Sequence, residues 1–283
     1  MKKQISILVP IYKKNLEKLE IKILERISNL YFGKHDLFFL LPSDSELNYK
    51  NLGFQNIYFD KSNFLDVHNF NKFCVSTELY KNFLDYEYIL FHQLDAIILS
   101  DNLENWIKKN YSYIGGPSFH KSLFKKNPVK PKFFCNGGLS LRKVKDFINV
   151  LESEKIFLKK IDSFTIKEIL KRKYIYRYLK LFFTNYKNNN YFNVNAFIEN
   201  FFLSEDVFWT HFAKLFNVNF NLPKDAIECA NFSLNEGHKF YIQKFNIKPF
   251  GAHYYNKKNF KFLNKLFLEN KIVSKEEIAN LNY

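Results

Sequence analysis

Residues Ile5–Val9 form an unbroken apolar run that stops at Pro10, and the segment behind it, NLEKLEIKILERISNL, repeats Leu16, Leu19, Ile23, Ile27 and Leu30 at spacings of three and four. The first pattern predicts a buried strand and the second an amphipathic helix. Gly33 closes that helix, Asp36–Leu41 (DLFFLL) reads as a second buried strand, and Asn56–Asp60 (NIYFD) as a third. A helix over Phe70–Leu84 then leads into YEYILFHQLDAIIL, read as one strand over Tyr86–Leu99. Alternation of strands and helices of this length predicts an α/β fold with a mainly parallel central sheet. Beyond Leu99 the alternation breaks. The chain has only eight glycines, and those of YIGGP (Tyr113–Pro117) and NGG (Asn136–Gly138) mark backbone that turns sharply or approaches a neighbour closely.

Composition narrows the class. With 283 residues, 47% hydrophobic, 19% aromatic and 25% charged, the chain is a globular protein able to bury a large core. Its net charge of +15 suggests nucleic acid, anionic membrane or phosphorylated substrate as partners. Only Arg26, Arg142, Arg172 and Arg177 are arginines, however, and the abundance of Lys, Asn, Phe, Ile and Tyr matches a coding bias toward A and T, which weakens that signal. Cys74, Cys135 and Cys229 are odd in number and form no CxxC pair, which argues against a disulfide scaffold or a zinc knuckle. The N-terminal MKKQISILVPIYKKN has no small-residue cleavage site, and no apolar run approaches the roughly 18–20 residues of a membrane span. A soluble, reduced, cytoplasmic chain is expected.

The charge is uneven. Lys155–Asn190 carries ten Lys or Arg against Asp162 and Glu168, more than half of the net charge in 36 residues. A helix after Phe164 would align Ile166, Ile169, Leu170, Tyr174, Tyr178 and Leu181 as an apolar, aromatic stripe flanked by cations. Such a helix either lies at an anionic interface or packs on the domain with a solvated basic face.

Along Tyr86–Leu99, side chains of a strand alternate faces, setting Phe91, Gln93 and Asp95 opposite His92, Leu94 and Ala96. Ligands of open α/β sheets bind at the carboxyl ends of strands, and an ionised carboxylate there needs a partner. Asp95 is therefore the functional candidate, as a ligand or metal contact or as an acceptor for loop backbone. His92 is expected to be a satisfied histidine of the core or a second layer.

The run YEYILFHQLDAIILSDNLENWIKKNYSYIGGP, followed by CNGGLSLRKV, LSEDVFWTHF, FSLNEG and KPFGAHYY, resembles a bacterial family of GT-A-type glycosyltransferases. The order of parts is shared: an N-terminal nucleotide-binding α/β half, an Asp-x-Asp site, a glycine loop, an xED helix start and a C-terminal histidine. The resemblance covers Ile5–Tyr255 and is poorest over 155–200. It implies a GT-A-like, Rossmann-type nucleotide-diphospho-sugar transferase fold, one domain over 1–283 with a basic, aromatic helical insertion at 155–200. The implied activity is transfer of a sugar from a nucleotide-sugar donor to a hydroxyl of a glycan or lipid-linked acceptor, with inversion.

The resemblance also implies roles. Asp95 and His253 would bind Mn²⁺ or Mg²⁺ bridging the diphosphate, a set of hard oxygen plus one imidazole that suits either ion; for His253 the bland alternative is an ordinary loop histidine. Gln93 stands where the pattern has its first aspartate, removing one negative charge from that shell. Asp206 would be the base that deprotonates the acceptor, with Glu205 orienting it or binding acceptor, although acidic residues in a first helical turn also gain simply from the helix dipole. Asn136, Gly137 and Gly138 would form a glycine loop beside the donor sugar, or a plain Asn-Gly turn. Arg142 would pair with phosphate or an acidic sugar, or form a surface salt bridge. Pro10 and Tyr12 with Ile11 would hold the nucleoside base, Asp60 would contact base or ribose, and Asn71 and Lys72, at a helix start, are lesser donor-site candidates.

Two other classes compete with the enzyme. The basic segment suits nucleic acid, but the chain lacks a recognition motif, and no nucleic-acid partner is expected. Gln93 is the main reason to consider a catalytically silent carbohydrate-binding or nucleotide-sugar-binding protein of the same fold. For an enzyme with a lipid-linked acceptor, the basic segment would dock on an anionic surface, placing the protein peripherally on the inner membrane face.

Overall fold

The computed structural model describes residues 3–46, 50–119, 133–155, 193–199, 204–236, 238–253 and 268–269. Strand β1 (Lys3–Pro10) leads through α1 (Lys18–Tyr31) to β2 (Asp36–Pro42) and β3 (Phe54–Phe59). Helices α2 (Val67–Phe73) and α3 (Thr77–Lys81) precede β4 (Tyr86–His92), β5 (Ala96–Ile98), α4 (Leu103–Ile107), β6 (Tyr113–Phe119), β7 (Phe133–Lys143) and α5 (Val144–Leu151). Then come α6 (Val194–Glu199), α7 (Glu205–His211), α8 (Ala213–Phe216), α9 (Ala226–Phe232), β8 (Ser233–Leu234), α10 (His238–Phe245) and β9 (Gly251–His253).

The central sheet has the order β3-β2-β1-β4-β7-β6. Its first four strands are parallel, and β7 and β6 complete it in antiparallel pairs. The fold is thus a mixed α/β one with a mainly parallel central sheet. The apolar runs are continuous because both faces are covered. Ile5, Ile7, Val9, Leu37, Phe39, Leu41, Tyr88 and Leu90 enter one core, while Leu8, Phe38, Leu40, Ile89 and Phe91 enter the other. Burying one such side chain contributes about 1.5–3 kcal/mol, so two filled layers hold the strand ends rigidly. Helix α1 packs Leu19, Ile23, Leu24, Ile27 and Tyr31 onto the first core, and Gly33 ends it at φ +79.

The chain moves outward from β1 through β2 to β3, then returns to the other side of β1 as β4. The β1–β4 pair is therefore the topological switch point, where an α/β sheet opens a crevice at its carboxyl edge. Register Leu8↔Phe91 brings the ends of β1 and β4 to that edge together. A second sheet, β5-β9-β8, stands beside it, with Ala96 opposite His253.

Three local expectations are corrected. The helix over Phe70–Leu84 is two helices, α2 and α3. Tight bonds from Val75 N to Lys72 O (3.1 Å) and Ser76 N to Phe73 O (3.0 Å) close the first, and the Ser76 hydroxyl also donates to Phe73 O (2.8 Å). The strand over Tyr86–Leu99 breaks at Gln93–Asp95. Gln93 N donates to Gly138 O (2.7 Å) and Ala96 N to Gln93 O (3.0 Å), so the chain turns there and face alternation does not extend to Asp95. The glycine loop Asn136–Gly138 lies inside β7, as a bulge: Gly115 pairs with Ser140 and Gly116 with Asn136, leaving Gly137, Gly138 and Leu139 as extra residues. The segment 156–192, which holds almost all of the basic insertion, lies outside the described residues.

Arg26 ties α1 to the strand that follows Asp95. Its Nε donates to Ile98 O (2.6 Å) and its Nη2 to Leu99 O (3.0 Å). Arg26→Met should lower the unfolding free energy by about 1–3 kcal/mol, measured by urea denaturation, because two carbonyls lose a charged donor.

Candidate active site

One half of the site forms where β4 turns into β5. Antiparallel pairing of β5 with β9 sets His253 next to Asp95, and His253 Nε2 lies 3.2 Å from Asp95 Oδ1 and 3.2 Å from Gln93 Oε1. The Asp95 side chain is 42% exposed, whereas that of His253 is 6% exposed. Burial alone pushes the Asp95 carboxyl up, but the contact with His253 outweighs it and holds the group below its usual range. On the far side of the ring, Nδ1 is 3.0 Å from Asn235 Oδ1.

The other half is built around the start of α7. Glu205 and Asp206 are 7% and 6% exposed. Arg142, fully buried on β7, donates through Nη2 to Glu205 Oε1 (2.9 Å) and Gly137 O (3.2 Å), through Nε to Ser140 Oγ (2.9 Å) and through Nη1 to the Tyr80 hydroxyl (2.9 Å). Its guanidinium lies 4.3 Å from the centre of the Phe91 ring. This corrects both expectations for Arg142. It is neither a surface salt bridge nor presented to a ligand, because protein groups engage its donors in the interior. Burial pushes the Glu205 carboxyl up to about 7 against the pull of Arg142, and nearby Asp206 adds to the rise. An arginine stays protonated, so the pair is ionic above that pH.

Asp206 is raised as well, by burial, against bonds from Ser204, Val207 N and Gly137 N. Its Oδ1 accepts from Val207 N (2.9 Å), and Asn136 Nδ2 points at its Oδ2 (3.4 Å). Asn71 Oδ1 accepts from Glu205 N (2.9 Å), which fixes one of the unpaired amides of this helix start.

The bulge of β7 joins the two halves. A Cβ on Gly137 would lie 1.9 Å from Glu205 Oε1, and one on Gly138 would lie 2.1 Å from His253 Nε2. Asn136 Oδ1 accepts from Gly138 N (2.9 Å) while its amide nitrogen faces Asp206, so one side chain spans both halves. The glycines of this region serve close approach: among the described residues the positive-φ glycines are Gly33 and Gly53.

The remaining candidates are placed as follows. Pro10 is buried at the end of β1 and Tyr12 is 66% exposed just beyond it, on the same sheet edge as Gln93. Asp60 follows the outer strand β3, with β2 and β1 between it and β4, and its carboxylate accepts from Ser62 N (2.8 Å). Asn71 and Lys72 lie in the last turn of α2, not at its start, and Lys72 is exposed. His92 is fully buried in the core, as expected, but among the described residues its two ring nitrogens have no side-chain hydrogen-bond partner. Burial pushes it down to about 4, leaving a neutral ring. Reading the sequence missed Asn235, although it sits in the FSLNEG segment, and missed Tyr80 and Ser118, which carry no motif signal.

Among the described residues no cluster of three or more His, Cys, Asp or Glu is arranged to hold a metal. The donors that do converge are one carboxylate, one imidazole and one amide oxygen. With Nδ1–H directed at Asn235, a neutral His253 turns a bare Nε2 toward two acceptor oxygens. Three lone pairs in mutual contact call for a positive charge, either a second proton on the ring or a cation. The donor set therefore fits a hard divalent ion completed by ligand or water oxygens.

A mixed α/β domain with a polar cluster at its switch point, backed by a glycine bulge and an acidic helix start, defines the class of site. The chain belongs to the family described as Protein of unknown function (DUF5672), whose sequence profile matches residues 53–253. No curated protein matches it by sequence. Similar solved structures include the galactosyltransferase LgtC in complex with donor and acceptor sugar analogues, at 10% identity and TM-score 0.48 over 98% of this chain and 100% of that one. The apo-form glycosyltransferase GlyE of Streptococcus pneumoniae TIGR4 is similar at 12% identity and TM-score 0.44, over 98% of this chain and 62% of that one. The mannosyltransferase PcManGT from Pyrobaculum calidifontis, in complex with GDP-Man and Mn²⁺, gives 13% and 0.34 over 53% and 47%. At these scores the likeness assigns neither substrate nor mechanism. No helix among the described residues is long and apolar enough to cross a membrane.

Burial of Glu205 has a measurable consequence. Between its ordinary value of 4.5 and about 7, the folded chain keeps a proton that the unfolded chain has released, so the group's contribution to stability falls as pH rises. His92, neutral when folded and charged when unfolded, acts oppositely between about 4 and 6.5. The difference in unfolding free energy between wild type and Glu205→Gln isolates the first group. It should fall from pH 5 to 7 and level off above, measured by denaturant titration.

Proposed function

We propose that the chain is a glycosyltransferase that moves a sugar from a nucleotide-sugar donor to a hydroxyl of a glycan or lipid-linked acceptor, with inversion. One observation carries this reading: the Gly137–Gly138 bulge meets the Asp95–His253 pair on one side and the Glu205–Asp206 pair on the other. Transfer from a nucleotide sugar needs neutralisation of a leaving diphosphate and a base for the attacking hydroxyl, held close together. The two pairs supply groups of those two kinds.

Asp95, His253 and the Gln93 amide oxygen would hold Mn²⁺ or Mg²⁺. When bound, the ion would supply positive charge against the diphosphate. With one carboxylate in place of two, this chain contributes less charge to the ion than an Asp-x-Asp pattern would, so donor and ion are expected to bind interdependently. Asp206 would take the acceptor proton. Its raised pKa brings the carboxylate nearer the operating pH, which favours a general base. Glu205, held by Arg142, would orient the start of α7 and thereby Asp206. The absent Cβ atoms at Gly137 and Gly138 leave room for a sugar ring beside Asn136, and exposed Tyr12 at the same edge offers a face for the nucleoside base. The basic segment at 155–190 would face an anionic surface or the acceptor.

The Gln93 replacement favours a second reading, a silent nucleotide-sugar-binding protein. A thermal-shift screen of nucleotide sugars with and without Mn²⁺, followed by assay of donor hydrolysis by the stabilised complex, separates the two. Stabilisation with turnover supports the enzyme, stabilisation alone supports the silent protein, and no stabilisation by any donor removes both.

Asp206→Asn should reduce transfer by about 10²–10⁴ with donor affinity nearly unchanged, and retained turnover would remove Asp206 as base. Mn²⁺ should tighten donor binding to wild type, measured calorimetrically, and should not do so for Asp95→Ala.

A further inference from the structure

We propose that Asn71 caps helix α7 from another helix and is a positioning residue for Asp206, fixing the first turn from which that carboxylate projects. The consequence for proton transfer rests on the reading above; the cap does not.

Helix α7 is seven residues long, and Ser204 at its N-cap makes no side-chain bond to its first amides. Isolated helices of that length do not persist in water, and their first amides need outside acceptors. Other helices of the fold meet this need locally: Asp66 accepts from Asn69 N (2.8 Å) at the start of α2, and Asp225 from Glu228 N (2.9 Å) at the start of α9. At α7 the acceptor is Asn71 Oδ1, 134 positions earlier, which takes Glu205 N at 2.9 Å. The other end of the amide donates from Nδ2 to Val67 O (2.7 Å). A backbone N–H only donates and a carbonyl only accepts, so these two partners seat the amide one way round. With both ends held by main chain, Asn71 is assigned to the helix and not to the donor.

A second bond completes a clamp. Trp209 Nε1 donates to Cys74 O (3.3 Å), so residues three apart at the end of α2 meet residues four apart in α7. Each pair spans about one helical turn, and two points of attachment fix both the height and the direction of the short helix. Helix α2 is a firm base for it, because its Phe70 and Phe73 rings pack on Phe91 of β4 and Phe59 of β3, with ring centres 6.2 and 4.7 Å apart. Glu205 is therefore held twice, by its main chain to α2 and by its side chain to Arg142. Asp206 is the next residue, and its direction follows from that turn. Misplacing a reacting group by about 1 Å can cost about 10²-fold in rate.

The test uses the full chain. Amide hydrogen exchange resolved to Glu205 should show a protected N–H in wild type, exchanging about 5–30-fold faster in Asn71→Ala and Asn71→Leu, and near the wild-type rate in Asn71→Asp, whose carboxylate still accepts. Asn71→Leu, which keeps the branched shape of the side chain, covers the case in which Asn71→Ala fails to fold. Turnover is read with Mn²⁺ and whichever of a panel of UDP-, GDP-, dTDP- and CMP-sugars stabilises wild type most. There kcat should fall about 10–100-fold in Asn71→Ala with donor KM unchanged, and Asn71→Asp should recover most of the loss. In the Asp206→Asn background, Asn71→Ala should cost less than about 3-fold more, because it acts through Asp206. An unprotected Glu205 N–H in wild type, or exchange unchanged in both Asn71→Ala and Asn71→Leu, overturns the cap. A raised donor KM with kcat unchanged, or an equal loss in both backgrounds, overturns the positioning role. A wild type stabilised by no nucleotide sugar overturns the reading above and the positioning of a base with it, and the exchange rates then decide the cap alone.

Discussion

Glu205 and His253 both press against a strand at points where any side chain larger than hydrogen would collide with them, and the site depends on this steric allowance. The carboxylate lies 1.9 Å from where a Gly137 Cβ would be, and the imidazole 2.1 Å from a Gly138 Cβ. Real Cβ contacts of that length do not occur, so alanine at either position would displace the Glu205 carboxylate from Arg142 or the His253 ring from Asp95 and Gln93. The sheet supplies rigidity from below, since β7 pairs with β4 up to His92↔Leu139. The bulge supplies three extra residues, two of them the glycines that let a helix and a strand meet at one edge.

Burying Arg142 and Glu205 together is expensive in desolvation, and their attraction repays it only when every remaining donor finds a partner. Here Ser140, Tyr80 and the Gly137 carbonyl engage three of those donors, and the guanidinium lies over the Phe91 ring. Removing either ion would strand the other in an apolar layer, so the pair reads as a device for specifying the position of α7 more than as a source of stability. The Tyr80 hydroxyl extends the network to Cys74 O (2.8 Å), which links the break between α2 and α3 to the same arginine.

The parallel half of the fold was legible because β1, β2 and β4 each carry an apolar run, Ile7–Val9, Leu37–Leu41 and Tyr88–Phe91, covered on both faces. Less was legible of the site. The turn at Gln93–Asp95 contains no glycine or proline, and a bond from Gln93 N to Gly138 O, far along the chain, makes it; local pattern reads straight through. Arg142 looked like a surface or ligand-facing cation because the carboxylate that buries it comes 63 positions later. Asn136–Gly138 announced itself by glycine content, yet spacing alone does not separate a loop from a bulge inside a strand. Asp95 and His253 were named by their place in a family-like order of motifs, and their contact at 3.2 Å arises from the β5–β9 register, which no local signal encodes.

The small sheet has a consequence for the order of assembly. Strand β9 is its middle strand, so β5 and β8 have no partner in it until β9 arrives, and the His253–Gln93 contact closes a separation of 160 residues. Contacts of such long range form late, because the chain entropy of closing them must be met first. During synthesis the parallel strands and their helices can settle while the edge beside Asp95 stays open. The edge beside Asp95 is then the last to close, after its scaffold has become rigid enough to guide the incoming strand.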